Sequence, residues 1–193
     1  MATLQELFKE AFRLWHVKSP DEPPKHGYPT YDHFERLRKE LETKAILLGF
    51  GGLKVKASVG MGSWAEIPWI GMRNPYLTDN FEEGEYVVYL FAPNYDRLFL
   101  GLIQGVTHLT SGELAERTPR LRKKIVRPDD FYVGINGRLS KNTLVNSKPD
   151  KYERGLLYSK KYDIPLLSSD EVILTDLKAA LSSYRDYVNK SIE

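Results

Sequence analysis

The sequence predicts an α+β fold: a mixed, largely antiparallel β-sheet flanked by N-terminal helices and a C-terminal helix. Three observations carry this. Apolar residues recur at helical spacing over the first fifty residues. A run of short β-rich segments with hairpin-like turns follows. A long amphipathic stretch then closes the chain.

The elements follow in order. Thr3-Leu4-Gln5-Glu6 fits a capping box, and Leu4, Leu7, Phe8, Ala11, Phe12 and Trp15 then form one face of a helix over 4–17. Residues 19–29 are rich in proline and charge and read as loop. Thr30 is the expected cap of a second helix over 31–47, with Phe34, Leu37, Leu41, Ala45 and Leu48 on one face and Gly49, Gly51 and Gly52 ending it. Lys54, Lys56 and Ser58 alternate with Val55, Ala57 and Val59, the pattern of a half-buried strand. A second strand is expected at 67–72, after which 74–84 is a polar connection. Residues 86–91 are nearly all apolar and predict a central strand; Pro93-Asn94-Tyr95-Asp96 is a turn, and 98–103 returns antiparallel. A helix over 111–124, opened by Ser111 and interrupted at Pro119, precedes strands at 131–135 and 156–162, with a long polar loop at 136–150 between them. Ser169 caps the last helix, Asp170 and Glu171 suit its positive end, and Ile173, Leu174, Leu177, Leu181, Tyr184 and Val188 form its stripe.

At 193 residues the chain is expected to be one domain, long enough to bury a sizeable core without covalent staples. It has no cysteine, which excludes disulfides and Cys-ligated zinc and is simplest to read as a reduced, cytoplasmic setting. No apolar run approaches the roughly 20 residues that cross a bilayer, and no signal-peptide order opens the chain. No membrane partner is expected. The net charge is +2, but residues 101–165 hold 13 Lys/Arg against 7 Asp/Glu. Arg117, Arg120, Arg122, Lys123, Lys124 and Arg127 crowd into eleven positions, and Arg138, Lys141, Lys148, Lys151, Arg154, Lys160 and Lys161 form a looser set. Such clustering suits a phosphate backbone; the plainer alternative is a solvated helix face.

Familiar catalytic patterns do not occur. His16, His26, His33 and His108 never pair at metal-ligand spacing, and neither a nucleophile elbow nor a P-loop is present. Glu42-Thr43-Lys44 matches the Glu-x-Lys of metal-dependent nucleases but falls on a predicted helix. Glu66 reads as a loop-bracing carboxylate rather than a general base. No catalytic residue, metal or cofactor is therefore expected.

A different constellation remains between residues 53 and 107. Gly60-Met61-Gly62 would let backbone approach a ligand closely, and Trp64 and Trp69 flank it. Pro68 lacks a donor and marks a strand start or edge. Tyr86 and Leu90 lie four apart on one strand, hence on one face, where Trp69 from the neighbouring strand could join them in an apolar pocket. Each feature has a plain reading as turn or core. Together they suit a flat ligand such as a nucleobase, which a duplex yields only by extrusion at a cost of a few kcal/mol.

The segments from Val55 through Trp69, with Gly84-x-Tyr86-Val87-Val88-Tyr89-Leu90 and Leu98-x-Leu100-Gly101-Leu102, resemble the N-terminal specificity domain of McrB-type modification-dependent restriction proteins. The resemblance is strongest over 53–107 and extends more weakly to the N-terminal helices and the stretch from Tyr152 to Val188. It implies a single DNA-recognition domain over 1–193, taken from a longer type IV restriction protein. Its partners would be double-stranded DNA carrying a modified base, a downstream AAA+ GTPase domain and a separate nuclease subunit. By position, the resemblance puts Trp69, Tyr86 and Leu90 in a base pocket, Met61 between the two loop glycines and Tyr152 at a later pocket position; on the leading reading Met61 and Trp64 gate the pocket. Met61 departs from the family pattern, because an aromatic there would stack on a base whereas methionine packs softly. Lys54, Lys56, Arg117, Arg120, Arg122, Lys123 and Lys124 are the candidate phosphate contacts. The competing expectations are a single-stranded RNA/DNA-binding or protein-interaction module without modification specificity and, third, an enzyme.

Overall fold

The computed structural model describes residues 2–192. They form helices α1 (Leu4–Val17), α2 (Pro29–Leu47), α3 (Ser111–Arg122), α4 (Lys148–Gly155) and α5 (Asp170–Ile192). The strands are β1 (Lys54–Met61), β2 (Ser63–Arg73), β3 (Glu85–Ala92), β4 (Arg97–Gln104), β5 (Tyr132–Val133) and β6 (Leu156–Asp163). The strands make one six-stranded sheet in the order β1-β2-β3-β4-β6-β5, and each neighbouring pair is antiparallel. The α+β expectation is met, with an antiparallel sheet rather than a mixed one.

Helices cover the sheet on two faces. Val87, Tyr89 and Phe91 of β3 face α1, α2 and α5, where they join Phe8, Phe34, Leu37, Leu177 and Tyr184 in the larger core. Tyr86, Val88, Leu90 and Ala92 face the other way and join Leu114 of α3 and Tyr152 of α4 in a smaller one. All eight residues of β3 are consequently buried. This explains why 86–91 lack the apolar–polar alternation of a one-sided strand. The start of α1 is fixed by α5: the Asp170 carboxylate accepts the Leu4 and Gln5 N–H groups at 2.9 and 2.8 Å, satisfying two donors that a helix N-terminus leaves free.

Several local expectations differ from the structure. Thr30 does not cap α2; Pro29 occupies the first turn, Tyr28 takes the cap position, and the buried Thr30 hydroxyl donates to the Leu14 carbonyl at 3.3 Å. Proline at the first helical position is pre-organised for the helix and starts it one step earlier. Thr110, not Ser111, caps α3 through a capping box with Glu113, and Pro119 sits inside that helix without ending it. The stretch 131–135 contributes only a two-residue strand.

The polar stretch before β6 hides a helix. Ser147 accepts the Asp150 N–H as the cap of α4, and a proline follows in its first turn, a start signal present in the sequence. A buried network ties α4 to α3. Asp150 accepts from the Ser111 hydroxyl, from Arg154 Nε at 2.9 Å and from the Asn146 N–H at 3.0 Å. Burial alone would raise the Asp150 carboxyl, but the Ser111 hydroxyl, the Arg154 guanidinium and the Asn146 N–H hold it below the ordinary aspartate value. Asp150→Ala is expected to cost about 2 kcal/mol, because it orphans buried donors to a charged acceptor. A carboxyl depressed in the folded state stabilises above its unfolded pKa of about 3.9, and that contribution is lost as pH falls through the lower folded value. Urea titrations of wild type and variant at pH 7 and at acid pH should thus show a gap that closes below about pH 4. A gap that does not change with pH would contradict this role for the charge.

Candidate nucleic-acid interface

The outer face of β1 is where the second helix layer stops. Val55, Ala57 and Val59 pack toward α1 and α2, while Lys54 and Lys56 on the alternate positions are exposed. Along this uncovered face runs a groove of about 960 Å³, bordered by β1, β2, the 79–82 turn, Val106, Thr107, Lys148 and Tyr152.

Strand pairing shapes the groove's inner end. Ser58 pairs with Trp69, but Gly60 pairs with Trp64, so Val59 alone on β1 spans 65–68 on β2. Pro68 lies in this bulge, where a missing N–H breaks no regular ladder bond. Bulges bend a strand and re-aim its side chains, and Trp69 is the first residue back in register. The expected open glycine loop is instead a tight hairpin, with Met61 paired to Ser63 across Gly62. Gly60 has φ +120°, and a Cβ there would lie 2.0 Å from the Ser63 carbonyl oxygen. Glycine at 60 thus lets the two strands cross rather than making room for a ligand.

The structure brings Trp69, Tyr86 and Tyr152 together and adds Phe81, which the sequence reading passed over. Trp69 and Phe81 have ring centroids 5.3 Å apart, Phe81 and Tyr86 are edge-to-face at 5.0 Å, and Trp69 and Tyr86 are 6.2 Å apart. Phe81 lies over Gly71 of β2, where a Cβ would meet its ring at 2.7 Å and the Trp69 ring at 3.2 Å. The turn carrying Phe81 is held by Asn80 Oδ1, which accepts the Glu82 and Glu83 N–H groups at 2.8 and 3.0 Å. From the end of β2, the Arg73 guanidinium sits 5.6 Å from the Phe81 ring centroid. The available signal was a phenylalanine placed in a polar connection.

Two buried phenols complete the wall. Burial pushes the Tyr86 hydroxyl far above its ordinary value, with the neighbouring Tyr152 phenol adding to the shift. Burial also raises Tyr152, partly opposed by the Trp69 side chain. Both stay protonated across physiological pH, so each can donate to or accept from a ligand edge. Leu90 is on the same sheet face and pairs with Trp69 across the strands. At 1% exposure it is sealed in the core as a floor beneath the aromatics.

Both proposed gate residues, Met61 and Trp64, border the groove. Trp64 packs edge-on against Trp15 at 5.3 Å, and its indole N–H donates to the Glu22 carbonyl at 2.6 Å. It borders the groove but is anchored to α1 and the 19–28 loop. Met61, at the hairpin tip, is 96% exposed. Glu66 accepts from the Ser140 hydroxyl, the loop-bracing role its position suggested.

The candidate phosphate contacts divide into two groups. Lys54 and Lys56 line the groove together with Arg73 and Lys148, against the carboxylates Glu66, Asp79 and Glu82. Arg117, Arg120, Arg122, Lys123 and Lys124 belong to α3 and its end, which packs over β6. That is three strand spacings from β2, or about 14 Å. Arg122 is committed to structure: Nε and Nη2 donate to the Leu157 and Leu156 carbonyls at 3.1 and 2.8 Å. Arg117 faces the buried Glu85 carboxylate at 3.5 Å. Arg120, Lys123 and Lys124 are exposed.

Among the described residues no cluster of His, Cys, Asp or Glu could hold a metal ion, and no helix is long and apolar enough to cross a membrane. The histidines serve locally, as in His16 with Asp96 and His26 with Asp32, each at 2.6 Å.

Gly71→Ala should push the Phe81 ring out of its seat while leaving the sheet intact. Near-ultraviolet circular dichroism would report this as a changed aromatic signal over an unchanged far-ultraviolet spectrum. Identical aromatic spectra would mean that the Trp69–Phe81–Tyr86 stack does not depend on the missing Cβ.

No curated protein matches the chain at a significant level. A family model does: residues 17–189 match the family described as MrcB-like, N-terminal domain. The match runs from the last residue of α1 into α5 and includes the whole sheet and every groove-lining residue. On that match the chain belongs to the MrcB-like N-terminal domain family, whose type points to a DNA-binding module of a restriction system rather than to a catalytic domain.

Proposed function

We propose that the domain recognises duplex DNA carrying a modified base, and that the base is turned out of the stack into the groove against Trp69, Phe81, Tyr86 and Tyr152. The observation that carries this reading is the aromatic wall itself. A half-buried tryptophan is backed by three rings, Phe81 and the protonated phenols Tyr86 and Tyr152, along the β1–β2 side of the sheet. Unstacking a base costs a few kcal/mol, and stacking on aromatics with hydrogen bonds to the base edge offsets it. The phenols supply neutral donors for that edge. Lys54, Lys56 and Lys148 supply positive charge at the groove for the flanking phosphates. In the parent protein a downstream AAA+ GTPase domain and a separate nuclease subunit would act on the bound site, as the family resemblance implies.

Competition binding at fixed salt tests the reading. The probes are matched duplexes that are unmodified or carry 5-methylcytosine, 5-hydroxymethylcytosine or N6-methyladenine, together with their single strands. One modified duplex should be preferred, and Trp69→Ala should abolish the preference while leaving weak, salt-sensitive binding. Equal binding to every duplex by the wild type, or full preference retained by Trp69→Ala, would contradict the pocket. Single strands bound tightly regardless of modification would favour a stacking platform for unpaired nucleic acid instead.

The lysines make a separate prediction. Replacing Lys54 and Lys56 together with alanine should weaken binding to all duplexes and reduce the slope of log affinity against log salt by roughly two. The same exchange at Lys123 and Lys124 should change that slope less. The reverse ranking would move the DNA path onto α3.

A further inference from the structure

Large exposed apolar residues occur at few places, and one pair stands beside the groove. Leu144 and Val145 are 74% and 73% exposed, neighbours in a segment that is otherwise polar from Ser140 to Lys148. Scattered surface leucines need no explanation, but an adjacent pair at the tip of a braced loop does. Two other adjacent exposed pairs occur among the described residues: Ile46 and Leu47 at the end of α2, and Tyr132 and Val133 on β5 at the opposite edge of the sheet.

Both feet of the Leu144–Val145 loop are fastened at the groove. On one side Ser140 donates to Glu66, a groove-lining residue of β2, and the Ser140 hydroxyl also accepts the Asn142 N–H at 3.2 Å. The Thr143 hydroxyl donates to the Ser140 carbonyl at 3.1 Å. On the other side Asn146 adopts a left-handed conformation at φ 63°. Its side chain accepts the Ser111 N–H at 2.8 Å, and its own N–H donates to Ser111 and Asp150. The Ser147 N–H closes a turn onto the Leu144 carbonyl at 3.0 Å, and Lys148 next to it lines the groove. Exposed Lys141 and Lys148 flank the tip. The result is two apolar side chains on a pinned stalk, with a positive charge on each side.

We infer that Leu144 and Val145 form a wedge that enters the duplex at the base step opened when the modified base turns into the groove. The inference rests on the extrusion reading above. Apolar side chains inserted between base steps are a general device for unstacking and kinking DNA. The braces supply the stiffness such a wedge needs, the lysines match the phosphates on either side, and continuity with the groove through Glu66 and Lys148 places the tip beside the aromatic wall. No hydrogen bond to a base is required, so the tip would lower the cost of extrusion without reading sequence.

The test uses Leu144→Ser combined with Val145→Ser. Both side chains are mostly in water, so the thermal midpoint should stay that of the wild type, which serves as the folding control. The probe is whichever modified duplex the wild type prefers, made once fully paired and once with the modified base mispaired and hence already loosened. The double variant should lose roughly tenfold in affinity for the paired duplex, equivalent to about 1.4 kcal/mol, and recover most of that on the mispaired one. Wild-type affinity on both duplexes would overturn the wedge while leaving the pocket standing, provided Trp69→Ala still abolishes preference. An equal loss on both would make the tip an ordinary contact and also overturn it. A wild type indifferent to modification would overturn the extrusion reading and the wedge with it.

Discussion

The incomplete cover on the second face of the sheet governs the rest of the molecule. A strand buried on both sides, as β3 is, demands packing from above and below. Helices α1, α2 and α5 meet that demand on one face along the sheet from β1 to β6. On the other face α3 and α4 reach β6, β4 and β2 and stop. The remaining strip along β1 and β2 cannot be a core and is not plain surface either: Trp69 and Phe81 lie half-buried along it. The groove follows from how far the helices extend, and the 79–82 turn and Tyr152 of α4 complete its wall.

That arrangement also decides which groups can act there. The groove offers aromatic faces and two phenols that burial keeps neutral. Such groups bind flat, apolar-faced ligands with a polar edge; they do not transfer protons near neutral pH. Its carboxylates are partly engaged, Glu66 with Ser140 and Glu82 with His108 at 3.1 Å. On the proposed reading the chemistry is that of recognition, in accord with the DNA-binding type of the family to which the chain belongs. The strongly basic α3 segment, the most conspicuous charge feature of the sequence, spends Arg122 on β6 carbonyls and turns Arg117 toward Glu85. Two of the basic side chains of that segment are thus engaged within the fold, while Arg120, Lys123 and Lys124 are exposed.

The framework was legible because its signals are local. The stripes of α1, α2 and α5, the alternation of 54–59 and the apolar run of β3 each encode an element directly. Tyr86 and Leu90 were placed on one face by strand period, and the structure puts them there with Trp69 beside them. What local signals did not reveal depended on distant partners. Trp64 looked like a companion of Trp69, but the bulge at 65–68 and the reach of Trp15 bind it to the helix layer. Gly60-Met61-Gly62 looked like a ligand loop because glycine content does not distinguish a hairpin crossing from a cradle. Phe81 was passed over because its place depends on packing over Gly71 of β2. α4, by contrast, carried a readable start signal in Ser147 and the proline after Lys148.

The central claim is that a modified base comes to rest against Trp69, and the indole N–H resonances of the three tryptophans test it most directly. In a nitrogen–proton correlation spectrum, adding a stoichiometric amount of the preferred modified duplex should shift the Trp69 resonance strongly. Trp15, buried on α1 against Phe34 of α2, should stay in place, and an unmodified duplex should leave Trp69 nearly unmoved. A Trp69 resonance that does not respond while the modified duplex is demonstrably bound would contradict the account.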